Sequence, residues 1–127
     1  MSDEEDKAIV YVQTHGVDEP GKSATPFFLA AAAAAMDIEA SIYFTMGGAT
    51  LLKKGVAEEV MIKRGEGGQS LRFFMDQALE LGVNFYVCQP SLDLHDLTME
   101  DLIGGVEMIG GAAFNSMALE ADAVISF

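Results

Sequence analysis

The chain has 127 residues and a mass of 13.5 kDa, the size of one domain rather than two. Half of its residues are apolar and 21% are charged, which excludes a disordered chain and allows a full core. Seven Lys+Arg against 20 Asp+Glu leave a net charge of −13, which suits neither a nucleic-acid backbone nor an anionic lipid surface. Asp3, Glu4, Glu5 and Asp6 form an acidic leader over 1–6 that is expected to be frayed. Five of the seven basic residues lie between Lys53 and Arg72, and no basic residue follows. Such like-charge runs read as solvated surface.

The leader is acidic where a secretory signal would be basic, and the longest apolar run, 27–36, is half of a membrane span. One cysteine, Cys88, makes neither an internal disulfide nor a multi-thiolate metal site. A cytoplasmic protein that meets no membrane is expected.

Ala8-Ile9-Val10-Tyr11-Val12 is a β-branched apolar run of the kind buried on both faces of a parallel sheet. It stops at Thr14-His15-Gly16, and the turn residues Asp18, Pro20 and Gly21 follow. Ser23 or Thr25 is placed to cap a helix with Pro26 in its first turn. That helix runs through Phe27, Phe28 and Leu29 into six alanines, which favour helix and let it lie close to a sheet. Residues 38–46 read as a second strand closed by Gly47-Gly48, and 50–54 as a short helix. The glycine-rich stretch 55–68 reads as an exposed loop with a brief ordered piece.

Leu71, Phe74, Ala78 and Leu81 fall at helical spacing within 69–81, which stops at Gly82. Residues 83–88 form a third strand broken by Gln89-Pro90-Ser91, and 94–101 carry a helical turn. A short strand at 106–109, a helix at 112–120 and a strand at 123–127 complete the chain. Strands alternating with helices predict an α/β fold: a three-layer sandwich on a mostly parallel five-stranded sheet, flavodoxin-like or related.

Ligands of such sheets bind at the carboxyl ends of the strands. The breaks there are Thr14-His15-Gly16, Gly47-Gly48, Cys88-Gln89-Pro90 and Gly110-Gly111. Cys88 is the candidate nucleophile, since a thiolate attacks sulfur and carries persulfides; as the end of an apolar strand it also reads as a small buried hydrophobe. His15, Gly47, Gly48, Gln89 and His95 are the candidate binding residues around it. Asp93 and Asp96 would oppose a thiolate, while His95 or the start of a following helix would favour it. The two histidines have no HxH, HxxxH or CxxC partner, so no metal is expected. No GxGxxG follows the first strand, no GK[ST] follows Gly65-Glu66-Gly67-Gly68, and no G-x-S-x-G occurs. No cofactor is expected.

With these residues in view, the chain resembles the DsrE/DsrF-like family, which includes the D subunit of the Tus sulfur-relay complex. The resemblance rests on Ile9-Val10-Tyr11-Val12, on Gly82-Val83-Asn84-Phe85-Tyr86-Val87-Cys88, and on the ending from Gly110-Gly111-Ala112-Ala113 through Glu120-Ala121-Asp122-Ala123-Val124-Ile125-Ser126-Phe127. It implies a single DsrE-like domain over 1–127, a homo-oligomer (a trimer or hexamer), and intracellular sulfur trafficking with donor and acceptor proteins. It further implies that Cys88, at the end of the third strand, receives a persulfide sulfur and passes it to a partner thiol, as in a sulfurtransferase. The Tus-type carrier has basic residues soon after its cysteine, whereas Asp93, His95 and Asp96 follow here. The alternative is a non-catalytic oligomeric module of the same fold that binds a small ligand or a protein.

Overall fold

The computed structural model describes residues 7–63, 65 and 67–127, and the acidic leader lies outside them. Among the described residues there are five strands: β1 (Ala8–Gln13), β2 (Glu39–Phe44), β3 (Asn84–Cys88), β4 (Val106–Ile109) and β5 (Ala123–Ser126). They pair in the order β4-β3-β2-β1-β5, and every pairing is parallel. The fold is the expected α/β sandwich. Its order is that of a related sheet rather than the 2-1-3-4-5 order of flavodoxin.

The order dictates where the helices go. A right-handed crossover stepping one way across a sheet puts its helix on one face, and a step the other way puts it on the opposite face. The connections β1→β2, β2→β3 and β3→β4 all step the same way, and only β4→β5 returns. Accordingly α2 (Thr25–Ala35) and α4 (Leu71–Glu80) pack together on one face. The returning helix, α6 (Gly111–Glu120), covers the other. Strand parity confirms the sides. The Tyr11 hydroxyl donates to the Leu29 carbonyl of α2 at 3.3 Å, and Tyr11 is level with Ile42. Its neighbour Tyr43 points the opposite way and stacks on Phe114 of α6.

The core therefore sits on the two-helix face. Ala30 and Ala33 are buried where the alanine helix meets the sheet. Phe27 wedges between Phe44 and Phe85, with ring centroids 5.7 and 5.6 Å away, and those two lie 5.2 Å apart. Each such fully buried side chain stabilises the fold by about 1.5–3 kcal/mol relative to exposure. The α6 face is different. From residue 104 to 127 no residue is buried, and Leu119 on the outer side of α6 is 87% exposed. A single crossover returns, so a single helix shields that face.

Several local expectations change. Neither Ser23 nor Thr25 caps α2: a short α1 (Pro20–Ser23) precedes it. There the Ser23 hydroxyl donates to the Gly16 and Glu19 carbonyls, both at 3.0 Å. Gly47-Gly48 does not end the second strand but lies inside a 3-10 turn, Met46–Leu52. The ordered piece of the glycine-rich loop is α3 (Val56–Glu59). In α4 the buried stripe is Leu71, Met75 and Ala78, while Leu81 is exposed. Gln89-Pro90-Ser91 ends the third strand at Cys88 as expected, but it also opens α5 (Gln89–Leu94) directly after β3. Proline is tolerated in a first turn, where its missing N–H has no intrahelical partner. The helical turn expected at 94–101 shrinks to Met99–Asp101, held by a reciprocal Thr98–Asp101 capping box.

Candidate functional site

Three chain segments meet at the carboxyl edge of the sheet. A Cβ on Gly16 would stand 2.6 Å from the Gly47 carbonyl oxygen, so the loop after β1 lies directly on the 3-10 turn after β2. That turn is fastened to α5 by two contacts. The Met46 N–H donates to the Ser91 hydroxyl at 2.7 Å, and His95 Nε2 meets the Met46 carbonyl at 3.1 Å, which makes the ring nitrogen the donor. Met46 carries a φ of +53°, a left-handed conformation that non-glycine residues seldom take. The two bonds to its peptide groups hold it there.

Cys88 sits where β3 becomes α5, half-buried, on the α6 face of the sheet. Burial raises its pKa, but the hydrogen bonds outweigh burial. The Tyr43 hydroxyl, the Ser91 hydroxyl, the Ser91 backbone N–H and the Thr45 hydroxyl all act on the sulfur, and the net direction is down. Donors favour the charged form of a thiol, so this arrangement raises the thiolate fraction and with it nucleophilicity. Thr45 Oγ1 and Ser91 Oγ are 3.3 Å apart, which joins the donors from the two loops into one network. Burial, the hydrogen bond to Cys88 and the charge there all push the Tyr43 phenol up, out of reach of physiological pH. Tyr43 is a standing donor.

Of the residues singled out in the sequence, the structure brings Gly47, Gly48 and His95 to the turn beside Cys88. His95 serves the turn, not the sulfur. Gln89 is exposed in the first turn of α5. His15 is half-buried, and its Nδ1 lies 3.3 Å from the Thr14 hydroxyl. Neither His15, His95, Asp93 nor Asp96 is among the groups that shift the thiol. Tyr43, Thr45 and Ser91 were not singled out. The Cys88-x-x-Ser91 spacing was the available signal, because three residues on brings a first-turn side chain back over the preceding strand end. Among the described residues no group of three or more His, Cys, Asp or Glu is placed to hold a metal ion.

A separate cavity of about 460 Å³ opens under α6 at the amino ends of the strands, lined by Glu39, Ser41, Tyr86, Glu107 and Glu120 with Met117. Burial, then Glu107, then Glu39 raise the Tyr86 pKa. This acidic recess lies on the same face of the sheet as Cys88 and runs as far as Ile109, the residue level with Cys88 on β4.

These features define a parallel α/β protein whose one thiol lies at the carboxyl edge of the sheet among hydroxyl groups that lower its pKa. The family model of the DsrE/DsrF-like family matches residues 7–127, and the chain belongs to that family. It is 29% identical over 134 residues to a protein of Allochromatium vinosum named sulfur carrier protein DsrE2, which covers 76% of this chain and 84% of that one. It is 27% identical over 103 residues to the uncharacterised protein MJ0760 of Methanocaldococcus jannaschii, covering 81% of this chain but only 36% of that longer one. Among solved structures, ychN of E. coli superposes with a TM-score of 0.65 at 15% identity, covering 96% of this chain and 99% of that one. MTH1491 of Methanobacterium thermoautotrophicum gives 0.70 at 17% identity, covering 96% and 100%. These two share the fold.

Proposed function

We propose that the protein is a sulfur carrier that takes up a persulfide sulfur on Cys88 and passes it to a partner thiol. The observation that carries this reading is the thiol itself, at the carboxyl edge of a parallel sheet, with hydroxyl donors that lower its pKa in spite of burial. Membership of the DsrE/DsrF-like family and the similarity to a named sulfur carrier support it. In the uptake step the Cys88 thiolate attacks the outer sulfur of a donor persulfide. The S–S bond of the donor breaks, the donor leaves as a thiolate, and Cys88 holds the S–SH group. In delivery an acceptor thiolate attacks that outer sulfur and Cys88 leaves as the thiolate. Neither step needs an external oxidant or reductant. In this reading donor and acceptor meet the carboxyl edge of the sheet, where His15, Gly47, Gln89 and His95 are exposed or half-buried, while Gly48 is closed off by the Gln13 backbone.

The protein acts in this reading as a homo-oligomer, a trimer or hexamer, in the cytoplasm, without nucleic acid. Among the described residues no helix is long and apolar enough to cross a membrane. Support for association comes from the unburied α6 face and from Phe28 and Met36, exposed by 64% and 68%. Phe27 and Phe85 are fully used in the core.

The test is intact-mass analysis after incubation with a polysulfide or persulfide donor. The wild type gains one sulfur atom and Cys88→Ser gains none. An unmodified wild type from neutral to alkaline pH would leave the non-catalytic module as the function.

A further inference from the structure

The donors around Cys88 differ in what holds them. Thr45 and Ser91 belong to the two loops that build the edge and are fixed by each other and by the Met46 N–H. Tyr43 comes from within β2 on the same sheet face as Cys88, level with Tyr86 two residues before the cysteine, a diagonal that an aromatic side chain can span. Its ring is buried, and the ring of Phe114 lies on it with centroids 4.2 Å apart and planes 29° from parallel. Phe114 is half-buried and belongs to α6, a helix without one buried residue. So a helix with no buried residue of its own supplies the ring against which Tyr43 rests.

We propose that Phe114 is a positioning residue: by stacking on Tyr43 it holds the phenolic O–H on the Cys88 sulfur, so that the seating of α6 on the sheet sets the reactivity of the thiol. The proposal rests on Cys88 being the sulfur-accepting group and adds the regulation of that group. Tyr43 moves no proton in either transfer step. Its O–H stabilises the Cys88 thiolate before attack and again when Cys88 is released on delivery, while the thiol proton itself goes to solvent. A partner that presses α6 onto the sheet seats the donor and activates the thiol; one that lifts α6 withdraws it. The titratable groups on the surrounding elements are Glu39 on β2, Tyr86 on β3, Glu107 on β4, Glu120 on α6, and Asp93, His95 and Asp96 on and after α5. None of them is among the groups that shift the thiol.

The experiment compares the full-length wild type with Tyr43→Phe, Phe114→Leu, the double variant and Phe114→Tyr. Thiolate ultraviolet absorbance is followed against pH, with iodoacetamide alkylation rates at neutral pH and a thermal melt of each protein. Tyr43→Phe and Phe114→Leu both move the titration to higher pH and slow alkylation roughly tenfold, the size of one charge-assisted hydrogen bond. The double variant is no slower than Tyr43→Phe alone, because both remove one interaction. Phe114→Tyr, which keeps a stacking ring, titrates like the wild type. A wild-type titration in Phe114→Leu beside a shifted one in Tyr43→Phe overturns the proposal, as does an additive double variant. A lowered melting temperature alone, with the titration unmoved, shows that Phe114 only packs. No sulfur donor is used, so failed persulfide uptake with these shifts intact refutes the carrier and not the coupling.

Discussion

Gly48→Ala isolates what the turn after β2 requires of its glycines. A Cβ at position 48 would overlap the Gln13 carbonyl oxygen and stand 2.9 Å from its carbon and 3.1 Å from Gln13 Cγ. Backbone cannot rotate aside as a side chain can, so the turn and the end of β1 must separate. That oxygen also accepts the Thr45 N–H at 3.1 Å, and the separation stretches this bond. Overpacking at about 1–3 kcal/mol and a weakened hydrogen bond at about 1 kcal/mol give a loss of about 2–4 kcal/mol. With an unfolding entropy of about 2.1 cal/mol/K per residue, a chain of this length loses about 4 °C per kcal/mol, so its melting point falls by about 8–15 °C. Two neighbours calibrate the measurement by circular dichroism. Gly47→Ala brings its Cβ to 3.3 Å from the Thr14 carbonyl oxygen and costs about 1 kcal/mol or less. Gly21→Ala, in α1, meets nothing within 4 Å and is neutral or stabilising by up to about 1 kcal/mol. A Gly48→Ala melt within about 2 °C of wild type, with altered thiol chemistry, would show that position 48 is reserved for a ligand rather than for the Gln13 backbone.

Stability carries the signature of the thiol. The hydrogen bonds place the folded titration of Cys88 below the unfolded one. Between the two midpoints the unfolded chain holds more protons, so the contribution is complete above the unfolded pKa and is lost as pH falls through the folded pKa. Urea midpoints measured from neutral to alkaline pH rise in the wild type relative to Cys88→Ser; parallel curves would show that the hydroxyls do not act on the sulfur. For the association, light scattering at micromolar concentration is expected to give a trimer or hexamer, and a stable mass near 13.5 kDa would show that 104–127 remain uncovered in solution.

The strands were legible because short stretches rich in apolar, β-branched and aromatic residues, bounded by glycine and turn residues, mark them, and β1 through β5 fall within those stretches. The glycine-bounded helix at 111–120 was equally plain. What failed to show was anything that depended on position within a first turn. Pro90 reads as a breaker when it follows a strand, yet one residue inside a helix it costs nothing, so α5 was invisible. The donors were hidden for another reason. Tyr43 and Cys88 are far apart in sequence and become neighbours through the β2–β3 register, in which Tyr43 is level with Tyr86 and Cys88 lies two residues on along the same face. A local pattern carries no record of that alignment. The glycines at 47 and 48 were read as the end of a strand and as binding residues, but what approaches Gly48 is the Gln13 backbone. Similarly, Phe28 and Phe27 are indistinguishable as letters, and only the helix phase sends one into the core and the other to the surface.

The strand order also governs how the sheet is assembled as the chain leaves the ribosome. Each of β2, β3 and β4 can pair on emergence with the strand made just before it, so the sheet grows outward in one direction. The far side of β1 waits. Its N–H and C=O groups along Ile9 to Val12 stay unpaired until Ala123 to Ser126 arrive, after α6 has been made and carried back beneath the sheet. During that interval the nascent sheet exposes an apolar edge beside the β5-less face, a template for any matching strand nearby. The strand that fits best is β5 of another copy, so crowded synthesis or concentrated refolding favours exchange of the α6–β5 arm between chains. Slow, dilute refolding gives the arm time to close on its own β1.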